Sequence, residues 1–303
     1  MERLGIEIAG VGLFFYKLRY SKYLNLDFFK PNNRLVYFSL YIGTMSTENR
    51  TKINQLLHSQ PYGAVFASSW LTSQGYSPEL QKRYKNSNWL VSIGTGAVKR
   101  SGDEVRIDGG LYALQQQLKL SVHIGGPSAL SRLGRSQYLE LDTNQIHIFG
   151  SAEENLPKWF KEYEWGFLVN YHASNFLPPN LGMTELNSGN LSLMVSSPIR
   201  AILECLYLAP SEISYIECYE LLEGMSNVRP TTVQQLLETC TSVKVKRMFL
   251  FLAEKAGHSW VKHLVKEKIN LGTGKRSLVK AGVYVSAYQI TVPKELMNNG
   301  KDV

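Results

Sequence analysis

The chain is short of the residues that most site chemistry needs. It has three cysteines, Cys205, Cys218 and Cys240, and none sits in C-x-x-C spacing. That excludes a disulfide framework or zinc ribbon and leaves buried thiols in a reducing cytoplasm as the expectation. Aspartate is missing altogether between residues 143 and 301. Nucleases and nucleotidyl transferases hold divalent cations with clustered carboxylates, so this half is poorly supplied for such work. His258 and His263 are five apart, with no carboxylate placed to complete a metal site. There is no G-x-S-x-G elbow and no cysteine with a histidine near it in sequence. Gly272-Thr273-Gly274-Lys275 is not a phosphate loop, because Ile269 stands where the first glycine belongs and Arg276 where Ser or Thr must follow the lysine. A tight turn with a basic tip fits better. No apolar run has the length of a membrane helix. No enzyme activity, metal or cofactor is expected.

What is present is charge, unevenly placed. The 303 residues suggest two domains, 44% hydrophobic content suffices for their cores, and a net charge of +8 suits an anionic partner. Residues 151–240 carry 11 acidic and 4 basic side chains, whereas 241–280 carry 2 acidic and 10 basic. Lys244, Lys246 and Arg247 open a helix, where the macrodipole disfavours cations. With Lys262, Lys266, Lys275 and Arg276 they form a candidate patch for an anion or partner. A solvated face balanced by the acidic helices accounts for them equally well.

The most informative stretch runs from Phe66 to Arg100. Residues 67–74 read as a helix and Gly75 as the turn after it. Ser77 caps a second helix with Pro78 in its first turn. Leu80 and Tyr84 face inward, which turns Gln81, Lys82, Lys85 and Asn86 outward. Trp89, Val91 and Ile93 alternate as a half-buried strand, Gly94-Thr95-Gly96 reverses the chain, and Lys99-Arg100 end the return strand. A basic, amide-bearing helix beside a basic hairpin has the make-up of a winged helix-turn-helix. Lys and Arg there neutralise phosphates, and Gln and Asn read adenine edges. Ser77, Gln81, Lys82, Lys85, Asn86, Lys99 and Arg100 are the expected DNA-contacting residues. A small helical domain with a solvated charged face is the bland alternative.

Around this stretch, residues 51–59 form a supporting helix and 64–66 a short strand for the wing sheet. A brief strand is expected at 105–107, a helix at 111–118, a strand at 120–124 with His123 turned away, and a helix from Pro127. The Gly125-Gly126 pair before that helix reads as a plain turn, with phosphate binding the weaker option. The second half starts near Asp142. Strands are expected at 146–149 and 166–171, a loop at 175–190, a strand at 191–195, and then helices at 197–207, 212–223, 232–240 and 245–257. Residues 260–266 are a short segment and 280–292 read as β. Residues 1–44 have no clean amphipathic period, and Met45-Ser46-Thr47-Glu48-Asn49 reads like a natural start. We expect 1–44 to be a non-native extension from a misplaced start, 45–141 a DNA-binding domain, and 142–303 a C-terminal domain. The fold class is α+β: a winged helix-turn-helix followed by a larger mixed α+β domain.

The order of several short motifs resembles AbiEi-type antitoxins, regulators of type IV abortive-infection toxin–antitoxin systems. The matching pieces of the first half are Ser69-Trp70-Leu71, Gly75-Tyr76-Ser77, Tyr84, Asn88-Trp89-Leu90 and Gly94-x-Gly96-Ala97. They continue with Gly109-Gly110-Leu111-Tyr112-Ala113-Leu114-Gln115 and His123-x-Gly125-Gly126-x-x-Ala129-Leu130. In the second half they are Ile146-His147-Ile148-Phe149-Gly150, Ser197-Pro198-x-Arg200-Ala201-Ile202-Leu203-Glu204 and Gly272-x-Gly274-Lys275-Arg276. Many members have Gly where this chain has Asn88, which also tolerates left-handed backbone. The resemblance leaves out 1–44. It implies a cytoplasmic autorepressor of inverted repeats in its own promoter DNA. It also implies an antitoxin that neutralises a nucleotidyltransferase-like toxin of the AbiEii type, without a stable complex being required. The competing reading is a protein- or RNA-binding interaction module without sequence-specific DNA binding, and a cryptic nuclease or transferase using Glu and Lys is a third.

Overall fold

The computed structural model describes residues 5–8, 11–14, 52–135 and 144–297. The expected natural start at Met45 and the domain junction at 141/142 lie outside them. The chain divides into two compact units, 1–49 and 50–303. In the first, β1 (Gly5–Ile8) and β2 (Val11–Phe14) pair as an antiparallel hairpin.

The second unit begins with α1 (Lys52–Ser59), β3 (Val65–Ala67), α2 (Ser68–Ser73) and α3 (Pro78–Asn86), then β4 (Leu90–Gly94) and β5 (Ala97–Arg100). The three strands form one sheet in the order β3-β5-β4, all antiparallel. Ile53, Leu56, Phe66, Leu71, Tyr84, Leu90 and Val98 bury against one another beneath it. Each fully buried Leu or Phe contributes about 1.5–3 kcal/mol, enough to hold short helices that are unstable alone.

The expected inward alternation of Trp89, Val91 and Ile93 is inverted at its start. Trp89 is 47% exposed and Val91 39% exposed, while Leu90 and Ile93 are buried. The β4–β5 register shifts between Ser92 and Gly94, and this bulge places two inward residues three apart instead of two. The expected strand at 105–107 is also absent, because Ile107 opens α4 (Ile107–Tyr112), which runs into a π-helical turn at Ala113–Gln117.

A five-stranded sheet then joins both halves of the sequence. It contains β6 (His123–Ile124), β7 (Gln145–Gly150), β8 (Leu168–Ala173), β9 (Met183–Ser188) and β10 (Leu191–Ser196), in the order β8-β7-β6-β10-β9. The 175–190 stretch is not the loop its composition suggests, because β9 lies within it and pairs antiparallel with β10. Its Asn, Gly and Pro residues mark the ends of a hairpin arm on the sheet edge. Helix α5 (Gly126–Arg132) and α7 (Pro198–Leu208) pack on the sheet, and α6 (Lys158–Glu162) lies against the β4 tip.

Helices α8 (Tyr215–Glu223), α9 (Pro230–Thr239) and α10 (Val243–Lys255) complete the second half with a small sheet of β11 (Arg276–Ser277), β12 (Val283–Val285) and β13 (Ile290–Val292). Ser214 and Glu217 cap α8 reciprocally. Cys205, Cys218 and Cys240 are all buried and free, as their spacing implies, and burial pushes each thiol up. Among the described residues, no helix is long and apolar enough to cross a membrane.

Candidate nucleic-acid interface

The segment from α2 to α3 is built by local rules. Gly75 sits at φ +83°, a left-handed conformation that costs glycine nothing. The Ser77 hydroxyl accepts the Leu80 N–H at 3.3 Å and Pro78 opens the helix. Glu79 follows in the first turn, where its own backbone N–H and the Ser77 side chain hold its carboxyl below the ordinary value. After α3, Asn88 takes φ +56°, the left-handed position its side chain tolerates.

The outer face of α3 presents Lys82, Arg83, Lys85 and Asn86, all exposed. Gln81 is not on that face. It is only 6% exposed, and its amide donates to the carbonyl oxygens of Ser68 (3.2 Å) and Tyr76 (2.8 Å) and to Thr72 Oγ1 (3.1 Å). Gln81 lies at the margin of the Leu80/Tyr84 stripe, and the end of α2 offers it acceptors that water would otherwise fill. It ties the end of α2 and the turn to α3 and does not lie on the outer face of that helix.

The hairpin also departs from expectation. Arg100 is 7% exposed; its guanidinium donates to the carbonyls of Leu57 and Gln60, lies 3.5 Å from Asp103 and stacks 4.2 Å from the Tyr62 ring centre. Lys99 Nζ donates to the Asp103 carbonyl at 2.8 Å. Arg100 fastens the hairpin to α1, and Lys99 ties it to the following turn with one of its three N–H donors. At the tip, a Cβ on Gly94 would stand 3.2 Å from Trp159 Cα, so the turn is seated on α6.

The C-terminal patch divides in two. Lys244 Nζ donates to the carbonyls of Tyr207 (2.8 Å) and Ala209 (2.7 Å), and burial lowers its pKa. Lys246 is 3% exposed. Arg247 is 2% exposed and donates to the carbonyls of Leu271, Gly272, Gly274 and Gln289. These three side chains are turned into the fold, Lys244 toward the end of α7 and Arg247 toward the 271–274 turn, so carbonyl oxygens account for two of the cations at this helix start. Lys262, Lys266, Lys275 and Arg276 remain exposed, with Lys266 ion-paired to Glu254.

Motifs far apart in the chain converge on Glu204, which is fully buried. Its carboxylate accepts from Arg200 Nε (2.8 Å), Ser196 Oγ (2.7 Å) and the Gly126 N–H (2.8 Å), and lies 3.1 Å from His123 Nε2. Burial opposes its charge, but the His123 and Ser196 hydrogen bonds and the Arg200 charge prevail and hold its pKa below the ordinary value. A Cβ on Gly125 would stand 2.4 Å from Glu204 Oε2. The glycine pair therefore admits an anion, and that anion is the protein's own side chain.

A second cluster joins His147, His172 and Glu212, whose ligand-type atoms all lie within 4.8 Å of one another. Burial lowers the pKa of both imidazoles, helped at His147 by the His172 charge and opposed there by Glu212. In the sequence only His258 and His263 stand out as a histidine pair. Of these, His258 Nε2 lies 2.8 Å from the Leu222 carbonyl in the core. No local spacing links His147 to His172; their strand pairing does.

A family model described as "Transcriptional regulator, AbiEi antitoxin N-terminal domain" matches residues 49–141. Another, described as "Transcriptional regulator, AbiEi antitoxin, Type IV TA system", matches residues 143–293. No curated protein sequence matches the chain. Among solved structures, the RV2827C protein from Mycobacterium tuberculosis is similar at a TM-score of 0.50 and 15% identity, over 79% of this chain and 89% of that chain. At that identity the likeness is one of fold. With the two family models together spanning most of its length, the chain belongs to the AbiEi antitoxins, the transcriptional regulators of type IV toxin–antitoxin systems.

Proposed function

We propose that the protein represses its own operon by binding inverted repeats in the promoter. It also neutralises a nucleotidyltransferase-like toxin of the AbiEii type encoded alongside. Residues 52–100 act as a winged helix-turn-helix with α3 as the recognition helix. The observation that carries this is the outer face of α3. Lys82, Arg83, Lys85 and Asn86 are exposed together, and among the described residues none of their side chains is held by a hydrogen bond or ion pair. Three cations on one helical face neutralise phosphates, and Asn86 offers the donor and acceptor that match an adenine edge. Lys99 and Arg100 are not among the groups that touch DNA, and Gln81 supports the helix that does. Ser77 serves at the start of α3 as its N-cap.

Gel shifts of the full chain on DNA from upstream of its operon, across a salt series, test this. A shift much stronger than on random DNA of equal length, weakening steeply with salt, is the expected result. Equal affinity for random DNA, or no shift at low salt, overturns it in favour of a protein- or RNA-binding module.

A further inference from the structure

Three ligand-type side chains that the α3 face does not use meet beside the outer strands of the five-stranded sheet. His147 lies on β7 and His172 on β8, its parallel neighbour, where the register sets Phe149 opposite His172. Glu212 lies in the link between α7 and α8. His147 Nδ1 is 3.1 Å from His172 Nε2 and 3.3 Å from Glu212 Oε2, and His172 Nε2 is 3.5 Å from the same oxygen.

The three atoms form a nearly equilateral triangle. Ligand atoms held about 2.1 Å from a tetrahedral zinc ion are roughly 3.4 Å apart, and the observed edges bracket that separation. Protons on the two rings satisfy at most two edges at once, whereas one cation satisfies all three. The rings are within 11° of parallel with centroids 5.4 Å apart, so their nitrogens face each other across the gap. An ion about 2.1 Å from both nitrogens sits off the line between them, so each ring must turn to aim its lone pair at it. The Phe149 ring, 4.9 Å from that of His172, packs beside it. Side-chain exposure rises from 6% at His147 to 14% at His172 and 36% at Glu212. The cluster is thus anchored inside and open to solvent at its carboxylate, which supplies both an entry path and room for a water as fourth ligand.

We propose that His147, His172 and Glu212 bind one divalent first-row transition metal, zinc in the first instance, which clasps the α7–α8 link to the β7–β8 edge. Two imidazoles and a carboxylate suit zinc and disfavour magnesium or calcium, which take oxygen ligands. The assignment does not depend on DNA binding.

The test uses the full chain, stripped with a chelator and titrated with zinc against a chromophoric competitor. One equivalent is expected to bind, with thermal unfolding shifted upward. His172→Gln and Glu212→Gln should each weaken binding more than about 100-fold, beyond the loss seen for outer-sphere partners, and abolish the thermal shift. His263→Gln, at an exposed histidine elsewhere, should change neither. Cobalt(II) should give the intense visible bands of tetrahedral coordination in the wild type and lose them in His172→Gln. Failure to bind one equivalent, or equal binding by wild type and both cluster variants, overturns the proposal. If His172→Gln does not fold, Glu212→Gln, at the more exposed ligand, decides alone.

Discussion

Gln81 Nε2 lies 2.8 Å from the carbonyl oxygen of Tyr76, so a side chain of α3 holds the turn that precedes its own helix. The same amide reaches Ser68 and Thr72 on α2. Gln81→Ala should therefore cost about 1–3 kcal/mol, the desolvation cost of buried acceptors left unpaired. Urea unfolding measures this. Affinity for operator and random DNA should fall in parallel, because α3 loses its angle and no base contact is removed. A changed base preference at unchanged stability would contradict the assignment.

Lys82 and Lys85 are solvent-exposed on α3 and hold no other part of the fold. Replacing both by Ala should leave the melting temperature within a degree or two, since such surface changes fall within about 0.5 kcal/mol. The slope of log K against log salt should flatten by about 2, near one for each phosphate that is no longer neutralised. An unchanged slope would remove these residues from the interface.

Arg100 shows the opposite pattern. Its side chain is 9% exposed and that of its partner Asp103 is 7% exposed. Arg100→Ala should destabilise by about 3–5 kcal/mol, because the buried Asp103 carboxylate keeps only the Gly63 N–H and the Leu57 and Gln60 carbonyls lose their donor. In whatever fraction stays folded, the salt slope of DNA binding should match the wild type. A variant of wild-type stability with a flattened slope would restore Arg100 to the DNA-binding face.

Glu204 makes stability depend on acid. Its folded-state pKa is depressed, so its contribution is complete above the carboxyl's unfolded pKa and is lost as pH falls through the folded one. Glu204→Gln should lower stability at neutral pH and flatten the acid limb of a plot of stability against pH. Denaturant midpoints taken from neutral pH down to about pH 3, below the ordinary carboxylate range, distinguish the two proteins. Superimposable acid limbs would show that Glu204 does not set this dependence.

Gly110 is closed to any side chain. A Cβ there would stand 2.6 Å from Trp165 Cη2. Gly110→Ala should cost about 1–3 kcal/mol by overpacking, with Trp165 fluorescence reporting the displaced ring. A variant as stable as the wild type with an unshifted spectrum would show that the ring yields freely.

What the sequence determined by itself is local. The Ser77-Pro78 cap, the Gly75 turn, the left-handed Asn88 and the amphipathic helices of the second half all follow from interactions within a few residues, and each stands where those residues put it. The resemblance in motif order points to the family that the matched residues confirm. Tertiary structure decided whatever depends on which surfaces meet. Helical phase places Gln81 at the edge of a stripe, but only the end of α2 turns it inward. Alternation cannot foresee that, with a bulge at Ser92 to Gly94, Leu90 is buried in place of Trp89 and Val91 while Ile93 stays inward. Lys244, Arg247 and Arg100 look like free cations in a sequence, because the carbonyls that hold them lie far along the chain. His147, His172 and Glu212 have no spacing to betray them; a strand register and the α7–α8 link bring them together. Short-range sterics and capping are written residue by residue, whereas the partner of a long polar side chain exists only once the chain has packed.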